Sequence, residues 1–308
     1  MNFSRGKLFL VFLIVLVTFR FKTGWKRVQL STFTESSLEE NERTQTIMTP
    51  PTAINYSSTA FASHSSLANW FQEHHSGRVI FKWTNYFAVY EKLFQKYVGR
   101  NVVVLEIGVQ SGGSIDMWRE YFGSGLIYHG VDVSPWPKKF FEKKSDNIFI
   151  HTGSQEDRTF MRKLALELGQ VDILIDDGGH TMRQQITTLE VLYDLVAPNG
   201  IFLTEDVHTS YADGWDGSGY RNKENFVEYV KKIIDQLYGF YHHRTDPALS
   251  DSLNNVWKTA SISFYPGIIA FEKQPISKPE SQSKGSQKLK FDSGKIICPS
   301  RARKAGHC

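Results

Sequence analysis

The chain has 308 residues, 41% of them hydrophobic and 22% charged, with a formal net charge of +4. That is enough apolar material for one large α/β domain or two small ones, and it excludes collagen-like, globally disordered and disulfide-dense miniature classes. A single continuous apolar run excludes a polytopic membrane protein.

The charge is unevenly spread. Residues 1–27 carry Arg5, Lys7, Arg20, Lys22, Lys26 and Arg27 with no acid, and residues 278–308 carry eight basic side chains against Glu280 and Asp292. The body between them is therefore acidic, which argues against a nucleic-acid reader. Cys298 and Cys308, both near the end, make no CxxC pair, so no structural zinc site is expected. Leu8 to Phe19 is uncharged and follows Arg5 and Lys7, the layout of a signal peptide or short signal-anchor within residues 1–27. Both readings stay open, because the run is shorter than the roughly 20 residues of a full span. A signal-anchor predicts membrane-associated or secretory-pathway (ER/Golgi) placement, with membrane contact through that run; the other reading leaves the address open. Residues 28–66 are rich in Ser and Thr, include Thr49-Pro50-Pro51 and the sequon Asn55-Tyr56-Ser57, and read as a flexible stem. Residues 277–308 read as a basic disordered tail, leaving residues 67–276 as the folded domain.

Within that domain, Trp83, Tyr86, Phe87, Tyr90, Leu93, Phe94 and Tyr97 recur at three- and four-residue spacing and predict an amphipathic helix with an aromatic core stripe. Next come β-branched runs at Val102–Ile107, Leu126–Val131, Ile148–Thr152, Val171–Ile175 and Ile201–Thr204, read as five strands. Helical patterns Ile115–Phe122, Asp157–Leu168 and Met182–Val196 alternate with them. Such alternation predicts a parallel sheet with helices on both faces. A helix over Lys223–Tyr238 follows, then strands Thr259–Tyr265 and Ile268–Glu272 around Pro266-Gly267, a turn so short that the pair must be antiparallel.

In open α/β sheets ligands bind beyond the carboxyl ends of the strands. The first strand runs into Glu106-Ile107-Gly108-Val109-Gln110-Ser111-Gly112-Gly113-Ser114. Gly108 and Gly112 let the backbone approach a ligand closely, but the GxGxxG spacing of dinucleotide enzymes is missing. Glu106 suits a cationic ligand such as the sulfonium of S-adenosylmethionine. Asp132 ends the second strand and either accepts both hydroxyls of a ribose or caps the following turn. Ser154 and Gln155 end the third and are candidates to contact adenine, while Asp157 reads as a helix N-cap. The fourth and fifth strands end in Asp176-Asp177-Gly178-Gly179-His180 and Glu205-Asp206-Val207-His208. As neighbours they would gather Asp177, Glu205 and Asp206. Three close carboxylates need a cation, and hard oxygen donors select Mg²⁺, Mn²⁺ or Ca²⁺ rather than zinc; the alternative is a set of solvated loop acids paired to nearby lysines. His180 is a candidate general base, His208 a second one, and the aromatic, glycine-rich loop Tyr211–Tyr220 a candidate cover over an acceptor.

Three of these stretches, Leu105–Ser114, Ile175–His180 and Thr204–Tyr211, resemble the macrocin and mycinamicin sugar O-methyltransferases and the rhamnosyl O-methyltransferase group often labelled cephalosporin hydroxylase. The resemblance runs from about Lys82 to Lys273. It implies a Rossmann-like class I methyltransferase fold: a seven-stranded, mostly parallel α/β sheet with a C-terminal antiparallel hairpin. It implies S-adenosylmethionine held near Glu106, Gly108 and Asp132, and Mg²⁺ on Asp177, Glu205 and Asp206 with His180 as base. The implied acceptor is a hydroxyl of a glycoside or similar polyol, and the implied assembly a homo-oligomer. A catechol-type O-methyltransferase and a non-catalytic cofactor-binding protein of the same fold are the alternatives.

Overall fold

The computed structural model describes residues 66–255 and 257–285, together with the backbone of 290–292 and 295–297. The apolar run Leu8–Phe19, the sequon at Asn55 and both cysteines lie outside the described residues.

The sequence runs α1 (Ser66–Glu73), α2 (Tyr86–Phe94), β1 (Val102–Ile107), α3 (Gly113–Phe122), β2 (Leu126–Asp132), α4 (Trp136–Phe141) and β3 (Ile148–Thr152). It continues with α5 (Arg158–Leu168), β4 (Val171–Asp176), α6 (Met182–Leu192), β5 (Val196–Thr204), α7 (Phe226–Gln236), α8 (Gly239–His242), β6 (Thr259–Tyr265) and β7 (Ile268–Lys273). These strands form one seven-stranded sheet in the order β3-β2-β1-β4-β5-β7-β6. The pairs among β1 to β5 are parallel, whereas β7 is antiparallel to both β5 and β6. This is the expected arrangement, hairpin included.

Successive residues of the central strands feed opposite faces, as a two-residue period requires. Val104, Ile173, Ile175, Ile201 and Leu203 pack with the aromatic stripe of α2 and with Trp118 and Phe122 of α3. Leu105, Ile107, Leu174 and Phe202 pack with α5, α6 and α7 through Met161, Leu164, Leu189 and Ile233. Both faces are thus covered, and the strand tips are left as the open edge. Local signals fix the helix starts there. Asp157 accepts from Thr159 N and Phe160 N (2.9 and 3.1 Å), Thr181 and Gln184 form a reciprocal capping box, and Asn225 accepts from Glu228 N at 2.7 Å.

Three departures have local causes. The helix expected over Met182–Val196 ends at Leu192 in a 3₁₀ turn, because β5 begins at Val196 and carries Pro198-Asn199-Gly200 before rejoining β4 in register at Ile201. Two short helices, α4 and α8, are too brief to leave a periodic pattern. Inside the segment read as a loose tail, Lys290–Asp292 and Lys295–Ile297 pair antiparallel.

The expected membrane-associated or secretory placement is corrected: among the described residues no helix is long and apolar enough to cross a membrane.

Candidate active site

A cavity of about 780 Å³ lies at the tips of β1 to β5. The loops after β1 and β4 touch there. Gly108 N donates to Val131 O (2.8 Å) and Asp177 N to Ile107 O (2.9 Å). Gly108 has φ +94°, and a Cβ on it would stand 2.0 Å from Asp177 O. Only glycine permits this approach. Gly112, also left-handed at φ +77°, caps α3.

Asp132 lines the cavity and fastens its wall. Its Oδ2 accepts from Val109 N and Gln110 N (3.1 and 2.9 Å), and Oδ1 accepts from Ser134 N (2.8 Å). Ser154 and Gln155 also line it. The Gln155 amide is fully engaged, with Nε2 donating to Asp176 Oδ1 and Thr188 Oγ1 (2.9 and 3.0 Å) and Oε1 accepting from Gly179 N (2.9 Å). Gln155 therefore ties the β3 tip to the β4 tip. Burial pushes the Asp176 carboxyl up to about 7. Glu106 is fully buried and does not line the cavity; its carboxylate accepts from Ser114 Oγ (2.7 Å) and from the Tyr128 hydroxyl.

The tips of β4 and β5 bring Asp177, Glu205 and Asp206 together, and with them a residue that sequence reasoning missed. The Lys82 ammonium, buried, donates to Asp177 Oδ2 and to Glu205 Oε1 and Oε2 (3.0 and 2.9 Å), and lies 4.0 Å from Glu106. Burial works against its charge, but Asp177, Glu205 and Glu106 more than offset that and hold it well above the ordinary lysine range. Two tyrosines of α2 complete the set. Tyr90 donates to Glu205 Oε1 (2.7 Å) and Tyr86 to Asp206 Oδ1 (2.6 Å). Burial first, then the Asp177 charge, push Glu205 up from the usual carboxylate range, opposed by Lys82 and Tyr90. Three carboxylates, counting Glu106, face one ammonium and Asp206 stands beside them, and the excess negative charge favours bound protons or a further cation.

His180 Nε2 lies 3.4 Å from Asp206 Oδ2 and 3.8 Å from Asp177 Oδ1, while its buried Nδ1 has no hydrogen-bond partner. Ligand atoms of Asp177, His180 and Asp206 all fall within 4.8 Å of one another. His180 and Asp206 both adopt left-handed backbone (φ 57° and 53°), a conformation costly for residues with a Cβ and concentrated at working sites. Thr209 Oγ1 donates to His180 O (2.9 Å) and helps to hold the turn. Trp215, from the glycine-rich loop, stands edge-on to the His180 ring at 6.3 Å. His208 is half exposed, 3.8 Å from Asp206 Oδ1 and edge-on to Trp83, outside the cavity lining.

This sheet order, with glycine-broken strand tips around one cavity, is the class I, Rossmann-like methyltransferase fold. Residues 105–207 match the family model described as a methyltransferase domain, so the chain carries such a domain, similar to those of sugar O-methyltransferases. The 8-demethyl-8-alpha-L-rhamnosyl tetracenomycin-C 2'-O-methyltransferase of Streptomyces olivaceus is 30% identical over 198 residues, covering 61% of this chain and 50% of the relative. Demethylmacrocin O-methyltransferase of Streptomyces fradiae is 34% identical over 157 residues, 48% of this chain and 38% of the relative. Among solved structures, the MycE methyltransferase of the mycinamycin biosynthetic pathway, in complex with Mg and SAH, matches with a TM-score of 0.54 at 25% identity, covering 68% of this chain and 53% of that one. The chain thus spans half or less of the length of these two curated relatives. These bacterial enzymes lend no support to the expected ER/Golgi address.

Proposed function

We propose that this chain is an S-adenosylmethionine-dependent O-methyltransferase acting on a hydroxyl of a glycoside or similar polyol, assisted by Mg²⁺ or Mn²⁺. The observation that carries the reading is that one cavity holds both Asp132 and the group Asp177, His180 and Asp206. The relatives' names, both O-methyltransferases and one acting on a rhamnosyl compound, and the Mg and SAH of the MycE complex support it.

The donor set fits a divalent cation: oxygen ligands, excess negative charge, and one oxygen each of Asp177 and Asp206 turned toward His180. Those two carboxylates would hold the ion. When bound, S-adenosylmethionine supplies an electrophilic methyl group, and the ion acidifies a hydroxyl placed against it. His180 takes the hydroxyl proton at Nε2, on the face of the ring that borders Asp206 and Asp177. Asp132 and the Gly108 loop position the donor, Ser154 and Gln155 border its far end, and Trp215 helps to exclude water. Holding oxygen and methyl near contact distance supplies roughly 7–11 kcal/mol in favourable systems.

The test is methyl transfer from S-adenosylmethionine across a panel of glycosides, polyols and a catechol, with chelator or added Mg²⁺, beside calorimetry with S-adenosylhomocysteine and NAD. Binding of S-adenosylhomocysteine but not NAD, and metal-restored methylation of a glycoside, is expected. Absence of S-adenosylhomocysteine binding ends the proposal, and preference for the catechol replaces the acceptor.

A further inference from the structure

Two of the three acids at the β4 and β5 tips share one pattern and the third departs from it. Asp177 gives Oδ2 to Lys82 and turns Oδ1 toward His180; Asp206 gives Oδ1 to Tyr86 and turns Oδ2 toward His180. Glu205 has no oxygen left to turn. Lys82 takes both, and Tyr90 adds a second bond to Oε1. Exposure follows the same division: the side chains of Asp177 and Asp206 are 22% and 18% exposed, those of Glu205 and Lys82 only 1% and 2%. All four residues line the cavity, but the cluster has an inner half, Glu205 closed around an ammonium, and an outer half in which Asp177 and Asp206 each keep one oxygen away from Lys82 and the tyrosines.

We infer that Lys82 is the resident cation of the inner half: it keeps Glu205 out of the coordination set and confines a divalent ion to the outward oxygens of Asp177 and Asp206. An ion that reached Glu205 would have to share its oxygens with a fixed positive charge, and the repulsion grows as the site dries. Lys82 is thus a positioning residue. It lies just ahead of α2, which Tyr86 and Tyr90 anchor to the same acids, so its stem cannot readily swing away. The inference deepens the metal-assisted part of the proposed function and needs neither methyl donor nor acceptor for its test.

Mn²⁺ alone is titrated into the full chain by calorimetry, with water-proton relaxation as a second readout. Glu205→Gln removes a charge but keeps the size and an acceptor for Tyr90. It should leave Mn²⁺ affinity within about threefold of the parent, whereas Asp177→Asn and Asp206→Asn should each lower it by roughly tenfold or more. Lys82→Met removes the resident charge, uncovers Glu205 and should tighten Mn²⁺ by roughly tenfold or more. The same variant should gain melting temperature on added Mn²⁺ well beyond the parent. If Lys82→Met does not fold, Lys82→Gln, which keeps a donor to Glu205, serves instead. A loss in Glu205→Gln equal to that in Asp177→Asn overturns the inference, as does a charge-removing Lys82 variant that binds Mn²⁺ no tighter than the parent. If the parent binds no Mn²⁺ but the Lys82 variant does, the inference stands while metal assistance in the parent falls.

Discussion

Replacing Gly108 by alanine tests the contact on which the donor pocket is built. Its φ of +94° is outside the range comfortable for an L residue, and the added methyl would stand 2.0 Å from Asp177 O, 2.7 Å from its carbonyl carbon and 3.0 Å from Gly178 Cα. These are backbone atoms, pinned by the bond from Asp177 N to Ile107 O, and cannot rotate aside. The conformation costs about 1–2 kcal/mol and forced displacement of packed backbone about 1–3 kcal/mol more. Gly99→Ala supplies the control. Its φ is +71°, also positive, yet nothing lies within 4 Å of the new methyl. Urea unfolding should therefore place Gly108→Ala about 1–3 kcal/mol below Gly99→Ala, the difference being chiefly the clash. Calorimetry with S-adenosylhomocysteine should show weakening by roughly tenfold or more for Gly108→Ala and none for Gly99→Ala. Equal stability of the two variants, with binding retained in both, would refute the close approach of the β1 and β4 tips.

Three further outcomes are expected. His180→Ala should lower kcat by roughly 10²–10⁴-fold, the usual share of a positioned base, while S-adenosylhomocysteine titrates as in the parent; an unchanged kcat removes His180 from the chemistry. Burial, followed by the adjacent His151, pushes His129 down to about 4 from 6.5. The unfolded chain then binds the extra proton first, so stability is whole above 6.5 and declines as pH falls toward 4. Screening of this partly exposed ring reduces the loss to about 1–2 kcal/mol, and His129→Gln should remove that loss from urea midpoints compared on either side of the window. Asn225→Ala forfeits the cap of α7 at a cost of about 1–2 kcal/mol by urea unfolding. The carbonyls of Ser210 and Gly219 keep backbone partners, which sets that ceiling.

The sheet was legible because its information is local. Val102–Ile107 and Val171–Asp176 are short β-branched runs between turn residues, and the two-residue turn Pro266-Gly267 admits only an antiparallel pair. Helix starts were readable where a side chain caps its own backbone, as Asp157 does, and unreadable for α4, whose six residues span less than two turns. The start of β5 at Val196 was missed because Pro198-Asn199-Gly200 reads as a break, although the strand continues through it.

The acids of the site were readable for the same reason: they end strands, and the sheet order makes those ends neighbours. Their counter-groups were not, since Lys82, Tyr86 and Tyr90 reach Glu205 and Asp206 across more than a hundred residues. In sequence the two tyrosines belong to a stripe of apolar spacing, and that reading is half right, because their rings pack among Phe87, Phe94 and Trp118. A tyrosine can fill a core with its ring and satisfy a buried carboxylate with its hydroxyl, and spacing records only the ring. The one available signal was Lys82 itself, a basic residue four positions before Tyr86 and eight before Tyr90, at the sequence spacing of the stripe although it precedes the helix. A lysine there needs buried acids to meet, and the β4 and β5 tips offer them.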